Sequence, residues 1–242
     1  MQRIIRRLIP GWAQRLLANT MERLRHRSYS RLPVEQVFSR IYAEQEWGRT
    51  EGEGFYSGAG SHDPALVDPY INAVSAFLKS QHERSVVVDL GCGDFNVGSH
   101  FVEYSREYHA CDIVPELQAH NRQRYPQPNL HFPCVNMIDD ELPDGDIVFI
   151  RQVFQHLSNA QIAKTMDKCR KYATWVVTEH LPSGESFTPN TDISAGCGIR
   201  GLVNSGVVLT APPFNLSGYG ARVLCEIAYC GDIIRTTLFT RT

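Results

Sequence analysis

The stretch Val86-Val87-Val88-Asp89-Leu90-Gly91-Cys92-Gly93-Asp94-Phe95-Asn96-Val97-Gly98 decides how the chain folds. A run of β-branched residues ends in a glycine turn, so a buried strand feeds directly into a loop whose backbone has no Cβ to keep a ligand away. In an open α/β sheet such a loop lies at the carboxyl end of its strand, where nucleotides bind. Two common ligand fingerprints fail here. The dinucleotide pattern Gly-x-Gly-x-x-Gly has Asn96 at its third glycine, which argues against an NAD-dependent oxidoreductase, and no Gly-Lys-Ser/Thr follows as a phosphate loop requires.

Around this centre, short apolar runs alternate with helical or turn-rich segments. Ser85–Leu90, Tyr108–Ile113, Leu130–Asn136, Asp146–Arg151 and Thr174–Glu179 read as strands. Alternation of this kind predicts a parallel sheet covered on both faces. The clearest helix, Ser158–Tyr172, opens on a Ser158/Gln161 capping box. Upstream, Pro33 starts a helix with Val34, Val37, Phe38, Ile41 and Tyr42 on one face, and Asp63-Pro64 starts another. Val223–Tyr229 and Ile233–Thr240, joined through Cys230-Gly231-Asp232, read as an antiparallel hairpin at the sheet edge. Residues 182–222, between the fifth strand and this hairpin, are rich in Gly, Pro, Ser and Asn. At about 40 residues, that loop is long enough to predict an active-site cover.

Composition bounds the rest. The chain has 242 residues, 43% hydrophobic and 21% charged, as in one sizeable globular domain. Apolar runs such as Val86–Val88 fall far short of the roughly 20 residues of a membrane span. The seven cysteines form no C-x-x-C pair, which fits thiols in a reducing, cytoplasmic setting. No segment recurs and none is of low complexity. Charge is unevenly placed. Residues 1–31 hold eight arginines against one acid and carry +7, which leaves −9 on residues 32–242 of a chain whose total is −2. An acidic body predicts no nucleic-acid partner, because such binding rests on neutralising phosphates.

Within the basic end, Ile5, Leu8, Ile9, Trp12, Leu16, Leu17, Met21 and Leu24 fall at helical spacing, interrupted by Pro10-Gly11. Three readings stand: an amphipathic helix on an anionic membrane surface or a partner protein, a cleavable transit peptide, or an extension packed on its own domain. The chain divides accordingly into residues 1–62, a basic helical extension with a glycine-rich lead-in, and residues 63–242, the sheet domain.

Asp89-Leu90-Gly91-Cys92-Gly93, with Asp112 ending the second strand and the terminal hairpin, resembles a class I S-adenosylmethionine-dependent methyltransferase. The resemblance covers residues 63–242. It implies a Rossmann-like seven-stranded, mostly parallel sheet with an antiparallel C-terminal hairpin, and S-adenosylmethionine as cofactor. The Trp47–Ser61 lead-in and the Asn190, Asp192, Arg200–Asn204 and Pro212-Pro213-Phe214 stretch are similar to a bacterial subgroup associated with glycan or natural-product pathways.

Carried over by position, the resemblance sets Gly91, Cys92 and Gly93 against the methionine part of the cofactor, with Asp89 holding the turn and the ligand's amino group. Asp112 would bind the ribose hydroxyls, a role compatible with capping the following helix. Ile113 would pack on the adenine, and Asn136-Met137 would flank it. Asn136 stands where many relatives have aspartate, and its amide oxygen can accept the same hydrogen bond from the adenine amine. Arg151 and Gln152 would face the sulfonium and the acceptor. The Asn-Pro-Pro-aromatic motif of base-modifying relatives is missing there, which again argues against nucleic acid.

Methyl transfer to a hydroxyl needs a base, and His156, just before a helix at the mouth of the sheet, is the candidate. A structural histidine fixing the helix start is its alternative role. Glu179 and His180 rank second, and the adjacent acids Asp139 and Asp140 read as solvated rather than metal-binding. The expected function is methylation of a small-molecule acceptor, a sugar or secondary-metabolite hydroxyl. The rival from another class is a non-catalytic S-adenosylmethionine-binding subunit docked to a partner, or to a membrane surface, by its basic helix.

Overall fold

The computed structural model describes Tyr29 and residues 32–49, 54–184 and 186–242. Apart from Tyr29, the basic segment read at residues 1–31 lies outside them, as do residues 50–53 of the lead-in.

Seven strands form one sheet in the order β3-β2-β1-β4-β5-β7-β6: β1 Val86–Leu90, β2 Glu107–Cys111, β3 Leu130–His131, β4 Ile147–Arg151, β5 Thr174–Pro182, β6 Tyr219–Tyr229 and β7 Asp232–Arg241. Strands β1 to β5 pair in parallel, and β7 lies antiparallel between β5 and β6. Six strands therefore run one way and β7 the other, the arrangement that the resemblance implies. The order reverses between β1 and β4, and a crevice opens at their carboxyl ends.

Helices cover both faces. Helix α1, Val34–Ala43, follows Pro33, and α2, Pro64–Lys79, is capped by Asp63, whose carboxylate accepts from Ala65 N at 3.0 Å. Helix α3 spans Pro115–Arg124, and α4, Asn159–Cys169, begins on the expected capping box, closed in both directions by Ser158 and Gln161. One core cluster joins α2 to the face of β1 carrying Val87 (Val74, Phe101, Tyr108, Phe149). The other joins α4 to the face carrying Val88 and Leu90 (Ile162, Met166, Trp175). Alternate residues of one strand thus feed opposite layers, as a doubly covered sheet requires.

Three strand expectations are corrected. The third strand stops at His131, and beyond it only a single bridge joins Asp112 to Cys134, because Pro133 has no N–H to offer the ladder. The fifth continues to Pro182, since β7 pairs with it along its full length, and β6 starts at Tyr219. Among the described residues no helix is long and apolar enough to cross a membrane.

Candidate active site

The glycine turn after β1 forms the floor of a cavity of about 270 Å³. Gly91 and Gly93 have φ of +78° and +59°, a left-handed backbone that side chains resist. A Cβ on Gly91 would come within 2.6 Å of Val153, and one on Gly93 within 2.4 Å of Ser57 Oγ. The turn is tied to β2: Gly91 N and Cys92 N both donate to Cys111 O, at 2.9 and 3.0 Å.

Two carboxylates flank this turn. Asp112 accepts from Gly93 N through one oxygen and from Val114 N through the other, each at 3.1 Å, so it fixes the turn and the approach to α3 together. Each oxygen keeps a second lone pair for a ligand. Burial raises the Asp112 pKa to about 6, against the pull of those backbone donors. Asp89 accepts from Tyr108 OH at 2.9 Å, and burial raises it to about 7 although Tyr108 and Arg151 favour its charged form.

On the strand beside Asp89, the Arg151 guanidinium donates to Gly60 O (2.6 Å) and Ser61 Oγ (3.3 Å) and lies 4.8 Å from the Tyr70 ring centroid. Its buried Nε has no hydrogen-bond partner among the described residues. A buried cation with an unused donor, lining one cavity with two buried carboxylates and a cradle that a Cβ would fill, suits a zwitterionic ligand end. Ile113, Met137 and Ile138 give the cavity an apolar side, and Gln152 lines it beside Gly60. Asn136 also lines it, but its Oδ1 accepts from Ile138 N at 3.0 Å and its Nδ2 donates to Asp139, leaving one lone pair for an adenine amine. Asp139 also pairs with Lys164, and Asp140 accepts from Asn136 N.

Six further residues, Tyr42, Trp47, Ser57, His62, Asp94 and Asn96, join this site without a role assigned to them from sequence. Asp94 accepts from Ser57 N and contacts His62 Nε2, both at 2.7 Å; Ser57 Oγ accepts from Asp94 N at 2.8 Å and shares a 3.0 Å hydrogen bond with Tyr42 OH. The lead-in and α1 are thereby stitched to the glycine turn. Asn96, the residue that breaks the dinucleotide fingerprint, donates to Ser61 O at 2.7 Å. Trp47 packs on Phe38, Tyr42 and His156. The glycine-rich segment was expected to help enclose the acceptor, and Trp47, Ser57, Gly58, Gly60 and Ser61 do line the cavity; its individual partners were not legible.

His156 lines the cavity, half-buried. Its Nδ1 faces Gly198 O at 3.0 Å, so Nδ1 carries the hydrogen, and Nε2 lies 3.2 Å from Gln155 Nε2, which donates to it. Burial lowers its pKa to about 4. The base expected near neutral pH is therefore a neutral imidazole with both nitrogens engaged. Glu179 and His180 do not reach this cavity. Glu179 is buried beside a second cavity of about 200 Å³ and raised by burial to about 8, while His180 pairs with Asp232 at 3.0 Å beside the hairpin turn. Both lie inside β5, because that strand outruns its expected end.

Only part of the 182–222 segment covers the site. Cys197 and Ile199 line the cavity, whereas Val207, Leu209 and Leu216 are buried in the α4-side core. The covering strap is held by Arg200, 1% exposed, which donates to Thr191 O, Phe154 O, Leu157 O and Asn159 Oδ1 at 2.7–3.0 Å.

The sequence model of a family described as a methyltransferase domain matches residues 88–174, which run from β1 to the start of β5. Over those residues the chain is similar to a methyltransferase domain. Solved structures agree on its fold. Magnesium protoporphyrin IX methyltransferase from Synechocystis, with bound S-adenosylmethionine, is 13% identical with a TM-score of 0.59, over 87% of this chain and 98% of that one. The N-methyltransferase NodS from Bradyrhizobium japonicum, with S-adenosylhomocysteine, is 12% identical (TM-score 0.57, 83% and 98% covered). The 1,6-didemethyltoxoflavin-N1-methyltransferase of Burkholderia thailandensis is 13% identical (TM-score 0.59, 86% and 87% covered). Among curated protein sequences nothing matches. The matched methyltransferase segment contains every residue that the resemblance assigns to the cofactor, from Asp89 to Gln152; the strap and the lead-in that close the cavity lie outside it.

Proposed function

We propose that the chain is an S-adenosylmethionine-dependent methyltransferase of a small-molecule acceptor of the secondary-metabolite kind. The observation that carries this is the glycine cradle set between Asp89, Asp112 and Arg151 at the carboxyl ends of β1, β2 and β4. The cofactor supplies an electrophilic methyl group on a sulfonium, which reacts by in-line displacement. Gly91 and Gly93 make room for its backbone-like methionine part. Asp112 accepts from the ribose hydroxyls, and Asp89 and Arg151 take the ammonium and carboxylate. Ile113, Met137 and Asn136 hold the adenine.

The chain's own contribution to rate is then alignment, worth up to roughly 7–11 kcal/mol, and exclusion of water by the strap. The protein lacks a neutral-pH base at His156, so an aliphatic sugar hydroxyl is the less favoured acceptor. In the rival reading, a non-catalytic cofactor-binding subunit, the acceptor end of the cavity would have no use. The readings part when the purified chain is incubated with methyl-labelled S-adenosylmethionine and a metabolite extract. Label moving into a small organic-soluble product supports the proposal; cofactor binding without transfer to any fraction favours the rival. The basic segment would serve membrane-surface or protein contact in the cytoplasm under either reading.

A further inference from the structure

One wall of the cavity is aromatic. Phe38 and Trp47 lie with ring centroids 6.2 Å apart, and Trp47 and His156 with theirs 5.3 Å apart. The strap closes onto this wall through Trp47 Nε1 donating to Cys197 O (3.4 Å), His156 Nδ1 to Gly198 O (3.0 Å) and Gly196 N to His156 O (3.1 Å). Phe38, Trp47, Gln155, His156 and Ile199 include no carboxylate, guanidinium or ammonium, and His156 is held neutral by burial. Burying a charged acceptor here would cost its hydration with nothing to offset it. A planar aromatic face, by contrast, finds rings to pack on.

One polar group in this wall is unused. Gln155 is 6% exposed and lines the cavity; its Nε2 donates to His156 Nε2, and its Oε1 has no hydrogen-bond partner among the described residues. The orientation of the amide is fixed by its neighbour. Because His156 Nδ1–H is spent on Gly198 O, Nε2 can only accept, so the Gln155 NH₂ must face it and the oxygen is left over. A buried acceptor without a donor is costly in a folded protein, and a ligand that brings the donor removes that cost.

We infer that the acceptor is an uncharged planar aromatic molecule that stacks on the Trp47–His156 wall and donates an N–H or O–H to Gln155 Oε1. This rests on the methyltransferase reading above. Gln155 is then a specificity-determining residue, and His156 a positioning residue that sets the Gln155 amide and anchors the strap at Gly198.

The test uses the full chain saturated with S-adenosylhomocysteine and three probes: indole, 1-methylindole and methyl α-glucoside, each titrated by calorimetry. Indole should bind at least about tenfold more tightly than 1-methylindole, the weight of one hydrogen bond, and the glucoside should give no saturable heat. Gln155→Leu should bring indole down to the affinity of 1-methylindole and leave the latter unchanged. Trp47→Leu should weaken both equally. Equal affinities of the two indoles for the unaltered chain, which needs no variant, overturn the inference, as does preference for the glucoside or binding of none of the probes. In each of those outcomes binding of S-adenosylhomocysteine, measured first, together with methyl transfer from labelled S-adenosylmethionine into a metabolite extract, keeps the methyltransferase reading standing. Failure of that first titration removes both.

Discussion

Asp112→Ala should weaken S-adenosylhomocysteine binding by ~10²-fold or more. Two hydrogen bonds from ribose hydroxyls to a carboxylate are each worth on the order of 1.5–3 kcal/mol before water compensates. The alanine also leaves Gly93 N and Val114 N without their acceptor, which loosens the turn the ligand must approach. The same carboxyl sets a pH dependence. Its pKa in the ligand-free fold is about 6, raised from 3.8 by burial, so the native protein keeps a proton that the unfolded chain has released. The contribution of Asp112 to the stability of the ligand-free protein therefore falls as pH rises from near 4 to near 6. Ligand affinity moves the other way, because the ionised form makes the stronger bonds: it climbs through pH 6 and levels above it. Asp89, at about 7, adds a second step at higher pH. Asp112→Asn should abolish the lower step and keep the upper one. An Asp112→Ala protein that folds and binds with unchanged affinity removes the ribose assignment.

Arg200→Ala should cost about 3–5 kcal/mol of folding stability, the range for removing one partner of a buried charged network. In a chain of this size that is a drop in Tm of roughly 10 °C. Three backbone carbonyls and the Asn159 amide oxygen lose a charged donor at once, in a place where water does not reach them. Arg200→Lys should recover little, since an ammonium cannot span acceptors that the guanidinium fork reaches together. Denaturant unfolding reads the loss directly. A loss below about 1 kcal/mol would mean that the strap is held by its apolar residues and not by Arg200.

What could be read from the chain was what is local. The run Val86–Leu90 into Gly91, the Ser158/Gln161 capping box and the turn at Cys230–Asp232 each bring their physics within a few residues, and each stands where expected. The third strand was misread because alternation was followed past Pro133, whose missing N–H ends the pairing. The site was legible along β1, β2 and β4 for the same reason. Its other half was not. Ser57 meets Asp94 across 37 residues, Arg151 meets Gly60 across 91, and Trp47 meets Cys197 across 150. No periodicity encodes such contacts. His156 shows the limit most clearly: its place at the mouth of the sheet was readable, but its basicity depends on burial and on Gly198, 42 residues away. The division at residue 62 likewise followed composition, whereas Tyr42, Trp47, Ser57 and Gly60 from before it line the same cavity as Gly91 and Asp112.

Calorimetric titration of the full chain with S-adenosylhomocysteine and, separately, with NAD tests the central assignment most directly. The cradle between Asp89, Asp112 and Arg151 should take up one S-adenosylhomocysteine per chain with a Kd in the micromolar range, about −8 kcal/mol, and NAD should give no saturable heat. Saturable binding of NAD with none of S-adenosylhomocysteine would contradict it.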